Sequence, residues 1–513
     1  MVKRAGGALL LSIRLEHGST KPVSTQLHVG LRELILSGTI APGQRLPASR
    51  TLARDLAVSR TTVIEAFDRL TAEGLIESRV GAGTYVTRAL EAPRPMPAAT
   101  ATGPEAGAPR LSQATERSLE LFGQRQRLPA IPRAFTTALP AFDAFPMAQW
   151  ARLSAKHWRR GRDEVMGYGE PFGHPGLRRA IASHLRANRG IVCDAEQIFI
   201  VSGAQQAFSL TASLLLNPGD AVWFENPGAI GARNSLIAAG AELLPVPVDA
   251  QGLRVEDGLA RCPGFALAFV TPSHQQPLGV VMSLERRFAL LHAAEKAGAW
   301  VIEDDYDGEF SFGGVPLPTL KSIDTTGRVI YVGTFSKSLF PSLRLGYLLV
   351  PPSLVDTVKA VMSQLLQGVP TVVQAIVAEF IDEGHFSSHL RRMRRIYAER
   401  HDALCAAAGR RLAGLLEVVP SHSGLHTIAR FQAALSEQDV VEAARQRAIT
   451  VSPIARFSLT PPSGGGASGL VLGFGAVRPP DIEQGVEVLG QVMEQLWAAR
   501  RPTATARPER ARP

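Results

Sequence analysis

Apolar and polar positions along this chain follow two different rhythms. From about residue 20 to 88 the apolar residues recur at helical spacing, first as Leu27, Leu31, Leu34 and Ile35, then as Leu52, Ala53 and Leu56, then as Val63, Ala66, Phe67 and Leu70. Each set predicts a short helix with one buried stripe. Ser37-Gly38 and Pro42-Gly43 close the first helix, Ser49 is placed to cap the second, and Val58-Ser59 turns the chain into the third. Beyond Glu73-Gly74, the stretch Leu75 to Val86 roughly alternates around Gly81 and Gly83, which predicts a small hairpin or wing. From about 129 to 498 the rhythm changes. Short apolar runs at 198–201, 221–224, 243–248, 265–270, 300–303, 329–332 and 347–350 alternate with helical patterns. That alternation predicts a mostly parallel α/β sheet covered by helices on both faces. Between the two regions, 89–109 is dominated by Ala, Pro and Gly and reads as a tether, continued to about 128 by a polar, arginine-containing, partly helical stretch. The basic, proline-rich end, 499–513, is expected to be disordered.

A length of 513 residues accommodates two or three domains, and the net charge of +9 permits a polyanionic partner. Cys193, Cys262 and Cys405 lie far apart without metal-like spacing, which argues for a reducing cytoplasm and against a disulfide framework or a zinc site. The apolar run 8–11 is too short to cross a membrane.

Candidate chemistry gathers behind the apolar runs. The run 329–332 delivers Thr334, Ser336 and Lys337 to a strand end, where open α/β sheets bind ligands. A desolvated lysine amine loses its proton more readily and can attack a carbonyl to form a Schiff base. Seven residues on, Arg344 offers a cationic fork suited to phosphate, so an aldehyde with a phosphate tail such as pyridoxal 5′-phosphate would use both. Ser202-Gly203-Ala204-Gln205 opens a helix directly after another run, and its N–H groups suit an anion. In Glu303-Asp304-Asp305-Tyr306-Asp307, Asp304 and Tyr306 point the same way if the segment is extended. A carboxylate facing a pyridine nitrogen keeps the ring protonated, and an oxygen-only Mg²⁺ site is the rival use of such a cluster. In the first region, Ser59, Arg60, Thr61 and Thr62 open the third helix with groups suited to phosphates and base edges, and Arg50 and Arg79 add charge. A small helical interaction domain with a solvated charged face is the other reading of that pattern.

Two resemblances sharpen this picture. The run from Leu46 through Arg60-Thr61-Thr62 to Leu70, with Glu73-Gly-Leu-Ile-Glu and Gly81-Ala-Gly-Thr-Tyr-Val, resembles the winged helix-turn-helix of the GntR family of bacterial transcription regulators. The resemblance implies that Arg50, Ser59, Arg60, Thr61, Thr62 and Gly81 form the contact surface for double-stranded DNA. The second region resembles a fold-type I aminotransferase through Tyr168-Gly-Glu-Pro-Phe-Gly, Ser202-Gly-Ala-Gln-Gln-Ala, Glu225-Asn-Pro-Gly, Thr271-Pro-Ser-His-Gln-Gln-Pro, Glu303-Asp-Asp-Tyr-Asp and the stretch from Lys337 to Arg344. This implies pyridoxal 5′-phosphate in Schiff-base linkage to Lys337, with Asp304 on the pyridine nitrogen and Tyr306 on the phenolic oxygen. Ser202, Gly203, Ala204, Gln205, Ser336 and Arg344 would hold the phosphate, Tyr168 would reach in from the second subunit of a homodimer, and His274 and Gln276 would lie in the loop beside the ring. The two regions together resemble the MocR subfamily, regulators that sense the cofactor or its adduct with an amine.

Two residues depart from the enzymes. Ala229 follows Gly228 where an aromatic residue usually stacks on the ring, and His274 or Phe224 are candidate substitutes. Val471 occupies the aligned position of the arginine that clamps a substrate carboxylate, for which Arg233, Arg456 and Arg478 are candidate replacements. The expectation is a regulator that binds DNA and answers to a small amine, an amino acid or the cofactor itself, and the alternative is a working aminotransferase with a DNA-binding head.

Overall fold

The computed structural model describes residues 13–500 apart from 17, 80, 91–109, 126, 160–165, 314–316 and 461–467. Two compact units divide the chain, Met1–Arg110 and Leu111–Pro513.

In the first unit the three amphipathic stripes form helices Val23–Leu36, Ser49–Asp55 and Arg60–Ala72. Their apolar faces meet in a core of Leu27, Leu31, Leu52, Val63, Ala66 and Leu70, each at most 1% exposed. Burying each leucine contributes about 1.5–3 kcal/mol. Strands β1 (Ile76–Arg79) and β2 (Gly83–Val86) pair antiparallel, with Ile76 opposite Val86. Gly81 sits in their turn at φ +74°, a left-handed conformation that glycine adopts without steric cost. Capping differs from expectation at the second helix. Ala48 is its N-cap, and Ser49, the first helical residue, instead accepts a hydrogen bond from Arg60 Nε at 3.4 Å.

The second unit is built on an eight-stranded sheet. Its strands are β3 (Ile198–Val201), β4 (Ala221–Asn226), β5 (Glu242–Asp249), β6 (Gly252–Leu253), β7 (Leu267–Val270), β8 (Trp300–Asp304), β9 (Val329–Thr334) and β10 (Gly346–Leu349), in the order β3-β10-β9-β8-β7-β4-β5-β6. All seven expected apolar runs are strands. β9, β8, β7, β4 and β5 are mutually parallel, while β10 runs antiparallel between β9 and β3. The carboxyl ends of β3, β4, β7, β8 and β9 therefore collect along one edge, where the unusual residues lie. A four-stranded antiparallel sheet follows, from β11 (Leu416–Val418), β12 (His426–Phe431), β13 (Ser452–Pro453) and β14 (Gly469–Gly473) in the order β11-β12-β14-β13.

The end of the expected tether needs correction. Residues 113–121 form a helix of the second unit, and the chain after it is hydrogen-bonded to that unit, so the division falls at Arg110. Residues 91–109 and 126 of the expected tether and 501–513 of the tail expected to be disordered lie outside the described residues. No described helix is long and apolar enough to cross a membrane.

Candidate functional site

A cavity of about 390 Å³ opens at the carboxyl ends of the parallel strands. β9 ends in Thr334, whose side chain accepts from Ser336 N and caps the short helix Phe335–Ser338, so Lys337 turns into the cavity. Its amine donates to the Ala138 carbonyl at 2.8 Å. Ala138 holds that carbonyl from a left-handed backbone, φ +65°, a conformation costing a non-glycine residue about 1 kcal/mol. Burial pulls the Lys337 amine down to about 8, against the opposing pull of Asp307 and Asp304. A substantial fraction of neutral, nucleophilic amine is thus present near neutral pH.

Asp304 and Tyr306, either side of the end of β8, both line this cavity. Burial, then the neighbouring Asp305 and Asp307, pushes the Asp304 carboxyl well above its usual range, and its Oδ1 is buried without a hydrogen-bond partner. A carboxyl oxygen lacking a donor and sharing a cavity with a lysine amine fits a protonated pyridine nitrogen. The other acids of the cluster have separate tasks. Glu303 accepts from the backbone N–H groups of Leu320 and Lys321, and Asp305 pairs with Arg189 at 2.5 Å behind the cavity. Asp307 accepts from His274 Nδ1 at 3.0 Å. The Tyr306 hydroxyl donates to the His274 carbonyl at 3.0 Å, an inward bond it would exchange in order to reach a ring oxygen.

The cluster is therefore not made of oxygen ligands alone, contrary to the rival Mg²⁺ reading. His274 and His426 are brought beside Asp307, with one ligand atom from each of the three within 4.8 Å of the others. His274 Nδ1 and Asp307 Oδ2 are hydrogen-bonded to each other and His426 Nε2 donates to the Pro277 carbonyl at 3.2 Å, while His274 Nε2 and Asp307 Oδ1 are buried without a partner. We read the trio as a hydrogen-bonded support for Tyr306.

At the anion end, Gly203 caps the helix Ala204–Leu215 at φ +93°, and the first-turn N–H groups of Ala204 and Gln205 have no intrahelical acceptor. Gly203, Ala204, Gln205, Ser336 and Arg344 all line the cavity. The side chain of Gln205 is spent on the Gly231 carbonyl at 2.9 Å, leaving its backbone to face an anion. Ser202 lies just outside, its N–H donating to Gln206 Oε1. Gln276 lines the cavity through the loop after β7.

Tyr168, expected to enter from a second subunit, is 82% exposed and outside this chain's own cavity, as that expectation allows. His274 is buried behind Tyr306, and Phe224 is stacked on Phe269, so neither takes the place beside Ala229. The candidate replacements for the clamp are occupied elsewhere. Arg233 donates to the Leu121 and Ser458 carbonyls, Arg456 donates to the Gln124 carbonyl, and Arg478 is exposed beside Asp481. Val471 and His426 from the small sheet line the cavity, as do Leu425 just before β12 and Phe457 from the 3₁₀ turn Ile454–Phe457. Sequence reading missed Arg125 and His426. Nothing local marks either, since both reach the cavity from segments far from the strand ends.

In the first unit Ser59 caps the third helix by accepting from Thr62 N at 3.0 Å, and its hydroxyl also meets the Thr62 hydroxyl. Arg50, Arg60, Thr61 and Gly81 are exposed, and Thr62 is half-buried. Arg79 is spent on Glu77 at 2.6 Å and lies over the Tyr85 ring.

Residues 24–86 match the family model for bacterial regulatory proteins of the gntR family, and residues 141–465 match that for aminotransferase class I and II. The chain is 42% identical over 499 residues to the probable rhizopine catabolism regulatory protein MocR of Rhizobium meliloti, covering 96% of this chain and 99% of that one. The chain belongs to the MocR-type regulators. Another such relative, the pyridoxine biosynthesis transcriptional regulator PdxR of Corynebacterium glutamicum, is 30% identical, covering 91% of this chain and 95% of its own. Among solved structures, the α-aminoadipate aminotransferase LysN of Thermus thermophilus matches with TM-score 0.65 and 26% identity, covering 76% of this chain and 96% of its own. The MocR-type layout thus joins a GntR head to an aminotransferase-like body.

Proposed function

We propose that this MocR-type regulator binds pyridoxal 5′-phosphate at Lys337 and changes its action on DNA when the cofactor, or its adduct with a small amine, occupies the cavity. The observation that carries the reading is the unpartnered, buried Asp304 Oδ1 in the same cavity as the Lys337 amine. When bound, the group supplies an aldehyde carbon for an amine and an electron-withdrawing ring. Lys337 provides the amine, Asp304 accepts from the ring nitrogen, and Tyr306 donates to the ring oxygen. Ser336, Arg344 and the N–H groups of Ala204 and Gln205 face the phosphate, with Ser202 and Gly203 shaping their turn. Occupancy biases the body between arrangements, and the DNA affinity of the head follows by linkage. The head presents Arg60 and Thr61 to the major groove, Arg50 to the backbone and the wing at Gly81 to the adjacent groove. We propose a homodimer, with Tyr168 completing the partner's cavity and two heads on paired half-sites.

The test is an absorbance spectrum with added cofactor before and after borohydride, alongside DNA binding with and without cofactor and a panel of amines. A band trapped on Lys337, and DNA affinity that shifts with occupancy, are the expected results. A trapped band with DNA affinity indifferent to occupancy, and sustained keto-acid turnover, would replace the regulator reading with the aminotransferase one.

A further inference from the structure

Arg125 lies four residues past the helix Gln113–Leu121, in a stretch whose sequence suggests only a tether. Its guanidinium lines the same cavity as Lys337 and Arg344, and no hydrogen bond or ion pair joins it to another described residue. Its Nη2 lies 3.8 Å from where a Cβ on Gly231 would stand, ordinary contact distance, with Gln205 Oε1 3.0 Å from the same point.

The backbone leading to Arg125 is fastened with unusual thoroughness. Gly123 N donates to Asn234 Oδ1 and Asn234 Nδ2 donates to the Gly123 carbonyl, both at 2.9 Å. Arg233 Nη2 donates to the Leu121 carbonyl at 3.1 Å, and Arg456 donates to the Gln124 carbonyl at 3.0 and 2.6 Å. Two arginines and an asparagine are thereby spent on aiming the next residue. A surface tether has no need of such fixing, and an unpaired planar fork facing a concave site is matched by an anion.

We infer that Arg125 is an anion-recognising residue of the cavity, its guanidinium taking a phosphate or carboxylate oxygen of the bound molecule, with Asn234 as its positioning residue. The anion is either the cofactor's phosphate or an acidic group on the effector amine. The cofactor arm rests on the function proposed above. In both cases the ligand is held by a stretch near the start of the second unit.

The full-length protein and its Arg125→Gln and Arg125→Lys variants are titrated with pyridoxal 5′-phosphate and with unphosphorylated pyridoxal, and the cofactor-loaded forms with β-alanine against propylamine. If the phosphate is the partner, Arg125→Gln weakens the phosphorylated cofactor at least tenfold and leaves pyridoxal unchanged. If an effector acid is the partner, cofactor affinity holds and the preference for β-alanine over propylamine falls at least tenfold. Arg125→Lys retains part of either preference. Asn234→Ala reproduces the loss in the wild type but adds nothing on the Arg125→Gln background, as coupled residues require. Unchanged preferences in both arms overturn the inference. Should the wild type take up no cofactor, the proposed function fails, and inorganic phosphate still decides this point. A phosphate-induced rise in melting temperature seen in the wild type and absent in Arg125→Gln sustains it, and equal rises overturn it.

Discussion

The cavity has two walls of opposite character. The large-sheet wall, at the ends of β8 and β9 and the start of the helix Ala204–Leu215, presents a depressed lysine, an unpartnered carboxyl, a cationic fork and free N–H groups. The opposite wall, formed by the small sheet and the segments beside it, presents Val471, Phe457 and Leu425, with His426 held neutral because burial pulls it down to about 3. One wall carries groups suited to a charged, reactive cofactor, and among the described residues the other carries no arginine or lysine to clamp an α-carboxylate. On the function proposed above, a site so divided takes an amine onto a cofactor without orienting an amino acid for repeated turnover, because orientation supplies much of the rate.

The largest break in this contrast is Lys337→Ala, which is expected to abolish the borohydride-trappable band while the head still binds DNA; a persisting band would mean that another amine carries the link. Next comes Asp304→Asn, which replaces a charge-assisted bond worth about 1.5–3 kcal/mol and so weakens cofactor binding roughly 10- to 100-fold in a fluorescence titration. Val471→Arg tests the other wall. It should lower the alanine concentration that half-shifts the spectrum by roughly tenfold, with a drop of a few degrees in melting temperature from the extra buried charge. An unaltered alanine response would show that Val471 does not face the ligand.

The smallest effect concerns the loop between the walls. Glu225, at the end of β4, accepts from Thr271 Oγ1 at 2.7 Å and Gln275 Nε2 at 3.1 Å, and so holds the loop that carries Gln276. Burial raises its carboxyl to about 7. The folded state therefore keeps a proton that the unfolded chain releases near pH 4.5, and stability falls as pH rises between those values, by at most about 3 kcal/mol. Glu303, raised to about 7 by burial and by Asp305, adds a parallel loss. Denaturant titrations from pH 4.5 to 8 should show a shallower decline for Glu225→Gln than for the wild type.

Much of this was legible locally. The stripes of Leu27 and Leu31, of Leu52 and of Val63 and Leu70 state three helices because helical period alone decides which side chains share a face. The seven apolar runs state seven strands, and a strand end delivers Lys337, Asp304 and Gly203 wherever the strand lies. His274 shows where local reading stops. It sits one residue from Gln275 and two from Gln276, yet it turns into the support behind Tyr306 while Gln276 faces the cavity. The small sheet is a second case, since its strands β11 and β13 are three and two residues long and depend on pairing with β12 and β14 rather than on their own pattern.

The sequence by itself determined the two-part layout, the helices of the head, the strands of the body and the residues at the strand ends, because these follow from short-range periodicity and from residues adjacent in the chain. Only the tertiary structure decided that Asp304 Oδ1 is left without a donor, that Arg233 and Arg456 hold backbone instead of ligand, and that Arg125 enters the cavity. Those outcomes depend on contacts between segments a hundred or more residues apart, such as Gly123 with Asn234, and on whether burial leaves a polar atom a partner. Neither is encoded by neighbours in sequence.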